Sequence, residues 1–137
     1  MKKENVIALV EQVAYIENVN FEEDVVVDGN TIRIAGVGGG EYIVYDEDEI
    51  REQMAYHIQE TASYFNADFL ADMTDLPEEV FEALVDKNEA VYKLICKTCG
   101  LDEFIDECLN TDGAGHFLNS YDGNEYDLGD GLYAFNC

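Results

Sequence analysis

The acidic excess of this chain is the property that its fold has to accommodate. The sequence has 31 aspartates and glutamates against 7 lysines and arginines, which gives a formal net charge of −24 over 137 residues. A small soluble domain usually carries a net charge of about 2 to 8 in magnitude, so solubility alone does not require this excess. Because 47% of the residues are hydrophobic, the chain is not of the weakly hydrophobic type that stays disordered. We therefore expect an ordered core with the carboxylates on its surface.

The same charge excludes functions that require a basic surface. Proteins that bind DNA, RNA or an anionic membrane neutralise phosphates with clustered lysines and arginines. The basic residues here are scattered: Lys2, Lys3, Arg33, Arg51, Lys87, Lys93 and Lys97. We predict that the protein binds neither nucleic acid nor membranes directly. No apolar run has the length of a signal peptide or of a membrane span, so we expect a cytoplasmic protein.

Apolar periodicity predicts two amphipathic helices in the first half of the chain. Over residues 4–19, the apolar positions three and four apart are Val6, Leu9, Val10, Val13 and Ile16. Asp46 and Glu49 have the spacing of a capping box, which predicts that a second helix covers residues 47–65. Its apolar positions are Ile50, Met54, Ile58, Ala62 and Phe65.

Short runs rich in β-branched residues predict strands between these helices. The runs at 25–27 and 31–35 flank the turn sequence Asp28-Gly29-Asn30, a pattern typical of a β-hairpin. A third strand is predicted at 41–45. The connection before it, residues 36–40, reads GVGGG and has the backbone freedom of glycine.

Two more helices are predicted after the second one. Asp75 and Pro77 resemble a helix start, and apolar periodicity then continues as far as Gly100, which predicts one long third helix. A short fourth helix is predicted at 101–109, with Asp102 as its cap. Aspartate, as at Asp75 and Asp102, is common where helices begin, and glycine, as at Gly100, is common where they end.

The C-terminal tail predicts further strands and completes the fold class. The segments 116–121, 125–128 and 132–135 are strand-like and are separated by Asp-Gly and Gly-Asp-Gly turns. We predict a single α+β domain over residues 1–137. Three to four helices pack with short antiparallel strands: an N-terminal hairpin plus a third strand, and a C-terminal hairpin or meander.

The cysteines are the first candidates for chemistry. Cys96 and Cys99 form a CxxC pair at the predicted end of a helix, where the helix dipole opposes the thiolate that redox catalysis needs. With Cys108 and His116 they form a C-x2-C-x8-C-x7-H series that has enough ligands for zinc. The spacing matches no standard zinc module, and free cysteine often serves as a small hydrophobic residue. We predict no cofactor and retain these four residues as the zinc candidates.

Other catalytic and metal-binding patterns are incomplete. The oxygen-rich segment 122–131 lacks the residue order of an EF-hand loop, although calcium binding stays as an alternative. The GVGGG segment lacks the Lys-Ser/Thr of a P-loop. His57 and His116 are the only histidines, and neither lies near a nucleophile in a known arrangement. We predict that the protein is not an enzyme.

The acidic residues form rows without interleaved lysines. A merely solvated helix face usually mixes charges, because like charges three or four residues apart cost a few tenths of a kcal/mol per pair. From Thr98 onward the chain has no lysine or arginine. Tyr42, Tyr45, Tyr121, Tyr126 and Tyr133 lie among the acids and, where exposed, suit stacking on arginine. We predict that a basic protein binds Asp46, Glu47, Asp48, Glu49, Glu52, Glu79, Glu82, Asp86, Glu89, Asp102, Glu103, Asp106, Glu107, Asp122, Glu125, Asp127 and Asp130.

Three segments resemble uncharacterised proteins of phages and mobile elements from gut bacteria: EYIVYDEDE (41–49), ASYFNADFLA (62–71) and GAGHFLNSYDGNEYDLGDGLYAFNC (113–137). In size, acidity and α+β pattern the whole chain is similar to small phage-encoded anti-defence proteins that mimic DNA, among them anti-CRISPR proteins. The resemblance implies a non-enzymatic inhibitor that occupies the nucleic-acid channel of a nuclease such as a CRISPR effector. It transfers no residue role.

Two alternatives to the inhibitor remain open at the level of sequence. An acidic adaptor for some other basic partner needs the same kind of surface. A domain from a halophile carries acids to hold water at high salt, and it folds only at about molar salt. Self-repulsion favours a monomer, whereas an apolar patch allows a homodimer.

Overall fold

The computed structural model describes residues 3–13, 23–34 and 41–136. The chain divides into two compact units: unit 1 comprises Met1–Ile50 and Ala114–Cys137, and unit 2 comprises Arg51–Gly113. The α+β class is confirmed. In chain order the elements are α1 (Lys3–Val13), β1 (Val25–Asp28), β2 (Thr31–Ile34), β3 (Glu41–Asp46), α2 (Glu47–Thr61), a 3-10 turn (Ala62–Tyr64), α3 (Ala67–Thr74), α4 (Glu78–Ala83), α5 (Asn88–Lys97), α6 (Leu101–Thr111), α7 (Ala114–Leu118), β4 (Tyr126–Gly129) and β5 (Leu132–Asn136).

Unit 1 is built on one five-stranded antiparallel sheet in the order β1-β2-β3-β5-β4. The predicted N-terminal hairpin turns at Gly29, which has a φ of 58°, a value that glycine adopts easily. The N-terminal and C-terminal strands join through β3 and β5, where Tyr42 lies opposite Asn136 and Tyr45 opposite Tyr133. The predicted strands at 25–27, 31–35, 41–45, 125–128 and 132–135 are therefore confirmed in their described residues.

One face of this sheet buries the apolar side of α1. Leu9 of α1 and Ile32 of β2 are fully buried in the same cluster as Tyr42, Val44 and Ala134. Alternate strand residues point to the same face, so the period-2 pattern of β2 and β3 delivers their apolar side chains to this core. The part of the predicted first helix beyond Val13, and the glycine-rich connection 36–40, lie outside the described residues.

The side chain of the buried Asn5 connects α1 to the sheet through a hydrogen bond. Its side-chain Nδ2 donates a hydrogen bond of 3.0 Å to the carbonyl of Leu128. Gln12, two turns further along α1, donates to the carbonyl of Asp127 over 2.5 Å. These two bonds fix the helix against strand β4, in addition to the non-directional burial of its apolar face.

The capping box at the start of α2 is confirmed. The backbone N–H of Glu49 donates to Asp46 Oδ1 over 2.7 Å, and the N–H of Asp46 donates back to Glu49 Oε1 over 3.3 Å. Two N–H groups that the first helical turn leaves unpaired are thereby satisfied. The helix runs to Thr61 and continues as the 3-10 turn, close to the predicted end at residue 65.

Unit 2 is a set of helices around an aromatic cluster. The ring of Phe104 on α6 lies 5.2 Å from that of Phe65 and 5.4 Å from that of Phe69, both in edge-to-face geometry. Met54 and Ile95 are fully buried in the same unit. Helix α3, which carries Phe69, was not predicted, because its eight residues are too few for apolar periodicity to stand out.

The prediction of one long third helix is wrong. Helix α4 ends at Ala83, Asp86 adopts a left-handed conformation with a φ of 66°, and α5 begins at Asn88. Asn88 explains the break: its Oδ1 accepts hydrogen bonds from the N–H and the hydroxyl of Ser63, and its Nδ2 donates to the carbonyl of Glu60. These tertiary bonds hold the start of α5 against the end of α2, whereas periodicity reports only which positions are apolar.

Three further predictions near helix ends are corrected. Asp75 is a left-handed residue that ends α3, so it does not begin the next helix, which starts after Pro77. Helix α6 has Gly100 at its N-terminal cap position, and Asp102 lies within its first turn. The predicted strand at 116–121 is wrong, because helix α7 occupies the first part of that segment and no strand follows among the described residues before β4.

Close packing accounts for the helix at this position. A Cβ on Gly115 of α7 would collide with the carbonyl of Gly123, so only glycine permits this approach between α7 and the following loop. The apolar residues Phe117 and Leu118 gave the segment its strand-like appearance. The contact that decides its conformation is with a residue that follows later in the chain.

The bridging role of Asn88 predicts a marked loss of stability in Asn88→Ala. The substitution removes three hydrogen bonds, two of them to the buried Ser63 and one to the carbonyl of the exposed Glu60, so the free energy of unfolding should fall by about 2 kcal/mol. Urea denaturation followed by circular dichroism measures the change. Asn110→Ala, on the exposed side of α6, is the matched control and should stay within about 0.5 kcal/mol of the parent. Equal stability of the two variants would contradict this role.

Candidate functional site

The predicted partner-binding carboxylates all lie in described parts of the chain, and all are exposed except Glu49, which is half-buried. They occupy helix starts, solvent-facing helix positions and turns. Exposure alone does not make them equivalent, because several already bind other groups of this protein. Their internal hydrogen bonds and ion pairs separate the carboxylates that maintain the fold from those that stay available.

At the start of α2 the carboxylates divide in this way. Asp46 and Glu49 form the capping box, and Glu49 Oε2 also accepts a hydrogen bond of 2.8 Å from Asn30 Nδ2. Glu47 and Asp48 are exposed, and among the described residues no hydrogen bond or ion pair engages their carboxylates. The positive N-terminal end of the helix dipole stabilises negative charge at this position. The first pair therefore supports local structure, and the second pair extends its charge into solvent.

Three carboxylates of unit 1 surround the phenol of Tyr133, and we call this group the Tyr133 cluster: Tyr133, Asp127, Glu47 and Glu125. Asp127 lies directly opposite Tyr133 in the β4–β5 ladder. Asp127 above all, followed by burial, Glu47 and Glu125, raises the pKa of Tyr133 above its ordinary value. Negative charges brought together from α2, β4 and the loop before β4 disfavour a further one on the phenol. The same field attracts a cation.

The predicted acidic row on the third helix does not exist as a row, because that helix is broken. Glu79 and Glu82 lie on α4, Asp86 lies in the left-handed turn, and Glu89 lies in the first turn of α5. Glu89 also forms an ion pair of 3.2 Å with Lys93, one helical turn further on. Both partners are largely exposed, so this pair stabilises the helix by only about 0.3–0.5 kcal/mol. All four carboxylates nevertheless face solvent.

Arg51 of α2 compensates two of the predicted carboxylates on α6. Its Nη1 lies 2.6 Å from Asp106 Oδ1, and its Nη2 lies 3.5 Å from Asp102 Oδ1 and 3.2 Å from the Asp102 carbonyl. The hydrogen bond with Asp106 is the main reason that the pKa of Arg51 is raised. Glu103 and Glu107, also on α6, form no ion pair among the described residues. They are the carboxylates of this helix whose negative charge is uncompensated.

In the C-terminal turns, the oxygens that suggested calcium have other partners. Asp127 Oδ1 accepts the N–H of Gly129 over 2.9 Å, and Asp122 accepts the N–H of Asn124 over 3.0 Å. These are turn-forming hydrogen bonds of the kind that aspartate commonly makes. Over residues 3–13, 23–34 and 41–136, no three His, Cys, Asp or Glu side chains are placed to hold a metal ion together.

The zinc candidates differ in their surroundings. Cys96 is exposed near the end of α5, Cys99 is half-buried and Cys108 is buried. Burial, followed by Asp112 and Glu107, raises the pKa of Cys108 to about 12, and burial also raises that of Cys99. Zinc ligation and redox chemistry both need the thiolate, which these environments disfavour. His116 lies on α7, in unit 1, whereas the three cysteines lie in unit 2.

The tyrosines among the acids are mostly structural. Tyr42 is 2% exposed and packs edge-to-face on Tyr126, while Tyr45 and Tyr133 are half-buried neighbours in the sheet. Of the five that the sequence suggested, Tyr121 alone is fully exposed, at 79%. Two exposed tyrosines were missed: Tyr56 at 60% and Tyr64 at 69%. Tyr56 lies off the apolar stripe of α2, and that offset was the available signal.

The Tyr133 cluster predicts how the pKa of this phenol responds to substitution. Asp127→Asn should lower the pKa of Tyr133 toward the ordinary value, because Asp127 contributes most to its shift, and Glu125→Gln should lower it by less. The ring carbon chemical shift of Tyr133, followed by NMR from neutral to alkaline pH, measures both. Glu103→Gln, in unit 2, is the control. The cluster would be refuted if all three variants titrated alike.

The buried thiol predicts a difference in alkylation. With a pKa of about 12, the thiolate fraction of Cys108 at pH 8 is roughly a thousandfold below that of an ordinary thiol. N-ethylmaleimide should therefore leave Cys108 unmodified in the native protein, and should modify it rapidly in urea. Peptide mass spectrometry distinguishes each cysteine. Native labelling of Cys108 as fast as that of Cys96 would contradict the burial.

Comparisons with known proteins and a search for membrane-spanning helices both had negative outcomes. No protein-family model, curated protein or solved structure matches the chain. In the part of the chain that the structure describes, no helix is both long and apolar enough to cross a membrane. A function is therefore inferred from the geometry and charge of the chain's own residues.

Proposed function

We propose that this protein is a non-enzymatic inhibitor that binds the basic nucleic-acid channel of a nuclease, and that the nuclease is a CRISPR effector. One observation carries the proposal: the acidic surface is almost uncompensated. Among the described residues, ion pairs involve only the cations Arg33, Arg51 and Lys93, and they engage four carboxylates: Glu41, Asp102, Asp106 and Glu89. The described residues include all of the chain's 31 acids except Glu17 and Glu22.

An ordered acidic surface suits a channel that binds nucleic acid. Duplex DNA presents about one negative charge per 1.7 Å of helix axis, and a protein that binds it provides a positively charged groove. The backbone that carries these carboxylates is ordered on helices and turns before binding, so the conformational entropy lost when the two surfaces meet is mainly that of the side chains. Electrostatic attraction also steers the encounter and raises the association rate.

The carboxylates are not expected to contribute equally to this interaction. Asp102 and Asp106 share the single positive charge of Arg51, and Asp46 caps a helix, so a partner cation competes for them with groups of this chain. Glu79 and Glu82 are exposed on α4, and no ion pair engages them among the described residues. We therefore place the stronger contributions on such uncompensated positions, including Glu103, Glu107 and two acids of the Tyr133 cluster, Glu47 and Glu125.

An inhibitor of this type acts in the cytoplasm of a bacterial host, where the nuclease meets its DNA. The acidic adaptor is the alternative, and it makes the same prediction for the salt dependence of binding. The two differ in their effect on nucleic acid. A mimic displaces DNA or guide RNA from its target, whereas an adaptor leaves that binding unchanged.

Competition with DNA tests the proposed function. Purified CRISPR effectors and restriction nucleases, loaded with a fluorescent duplex or guide, should release it when this protein is added, and fluorescence polarisation measures the release. The apparent affinity should fall steeply as the salt concentration rises, because counterions released on binding enter the equilibrium. Charge reversal in the double variant Glu79→Lys/Glu82→Lys should weaken competition about tenfold or more.

The matched control is Cys96→Ser/Cys99→Ser, which changes one side chain near the end of α5 and one just after that helix without altering the formal charge. It should compete as well as the parent. Inhibition that is indifferent to salt, or that leaves nucleic-acid binding intact, would overturn the mimic. Retrieval of basic proteins without nuclease activity, with no effect on any nuclease, would favour the adaptor.

A further inference from the structure

The loop between α7 and β4 is held by one buried asparagine, and we call residues 119–125 the Asn119 loop. Asn119 is 5% exposed. Its Oδ1 accepts hydrogen bonds from the N–H of Tyr121 over 2.9 Å and of Asp122 over 3.0 Å, and its Nδ2 donates to the carbonyl of Asn124 over 2.7 Å. A single side chain thus satisfies three backbone groups of the loop.

Further contacts anchor both ends of the loop. The N–H of Ser120 donates to the carbonyl of Asn136 over 3.1 Å, which ties the loop to the end of β5. The hydroxyl of Tyr126 donates to Asp122 Oδ2 over 2.8 Å. The carbonyl of Gly123 packs so closely on Gly115 that a Cβ there would collide with it. The loop conformation is therefore determined by hydrogen bonds and packing on several sides.

This ordered loop presents the most exposed of the large aromatic side chains described here. Tyr121 has 79% of its surface exposed, and it directly precedes Asp122, which is exposed as well. Both groups lie close enough to the phenol of Tyr42 that, after burial, Asp122 and then Tyr121 raise the pKa of that phenol. The loop thus places an open ring beside a carboxylate.

Asp122 keeps its charge and part of its capacity to accept hydrogen bonds. Burial opposes its ionisation, but hydrogen bonds from Asn124 and Tyr126 outweigh that effect and hold its pKa below the ordinary value. A carboxylate has about four lone-pair positions. The N–H of Asn124 bonds Oδ1, the hydroxyl of Tyr126 bonds Oδ2, and the side chains of Asn124 and Asn119 contribute further. The carboxylate nevertheless stays exposed to a ligand.

We propose that Tyr121 and Asp122 form a binding site for an arginine side chain of the basic partner, a proposal that rests on the function proposed above. A guanidinium is planar, so it stacks on the tyrosine ring while its N–H groups bond the adjacent carboxylate in a forked geometry. The ammonium group of lysine is a compact point charge, so it interacts less favourably with the ring and carboxylate of these two residues. Tyrosine and arginine are the residue types that most often dominate binding energy at interfaces.

The adjacent carboxylate and the ordered loop explain why this tyrosine, more than Tyr64, is assigned the role. Immobilising an interface segment costs about 0.5–1.5 kcal/mol for each flexible side chain. The Asn119 loop has its backbone arranged before the partner arrives, so that cost is reduced. Tyr64 has similar exposure but lies on the 3-10 turn of unit 2, and its neighbours in the chain are Ser63 and Phe65, with no adjacent acid.

Two peptides of equal length and charge test the site: a capped tetra-arginine and a capped tetra-lysine. NMR titration at low salt gives the dissociation constant of each for the full chain. Cation–π contacts at exposed positions are worth about 0.5–1 kcal/mol, so the arginine peptide should bind roughly twofold to fivefold more tightly. The largest shifts should be in the Tyr121 ring and in the amides of the Asn119 loop.

Substitutions assign this preference to its residues. Tyr121→Ala should remove the preference for arginine and leave lysine binding nearly unchanged, whereas Tyr121→Phe should retain it because the ring face is kept. Asp122→Asn should weaken both peptides. Tyr64→Ala is the matched control and should behave like the parent. Amide spectra verify that each variant keeps the fold.

The proposal is overturned if Tyr121→Ala keeps the arginine preference, or if Tyr64→Ala loses it equally. Its failure is distinguishable from failure of the proposed function. Displacement of DNA from a nuclease without an arginine preference overturns the arginine site alone. An arginine preference at Tyr121, with no displacement of nucleic acid, overturns the inhibitor and supports the site.

Discussion

Repulsion among carboxylates is the constraint on which the rest of this structure depends. A net charge of −24 opposes any compact state, so the chain folds only because its apolar residues are buried. In unit 1 this burial joins Leu9 to the sheet, and in unit 2 it surrounds Phe104 with helices. The acids are left at exposed positions, where water and salt weaken their repulsion. The pattern of exposed charge is thus a consequence of where the cores form.

The few cations and polar side chains determine what kind of surface this becomes. Arg51 compensates Asp102 and Asp106, and capping and turn bonds engage Asp46 and Asp127. The carboxylates that remain uncompensated lie on well-formed helices, strands and loops, and the proposed recognition by a basic groove depends on that ordered placement. The Asn119 loop adds an exposed aromatic ring to that surface, and in the interaction proposed above this ring provides selectivity for arginine over lysine.

Local signals predicted the elements that depend on neighbouring residues in the chain. The hairpin at Gly29, the capping box of α2 and the strands of β3 and β5 each have a short-range cause and are confirmed. The long third helix and the strand at 116–121 were wrong for the opposite reason. Asn88 is hydrogen-bonded to Ser63 and Glu60, and Gly115 packs closely on the carbonyl of Gly123. Patterns among neighbouring residues do not predict such contacts.

The sequence by itself determined the acidity, the α+β class and the exposure of nearly all the predicted carboxylates, because charged groups avoid burial and apolar periodicity shows which face is buried. Only the tertiary structure decided which acids are compensated, which tyrosines are exposed and where the third helix breaks. Arg51 reaches Asp106 across 55 positions, a contact that no nearby sequence pattern predicts. Likewise, Tyr121 and Tyr42 look alike in sequence, and packing exposes one and buries the other.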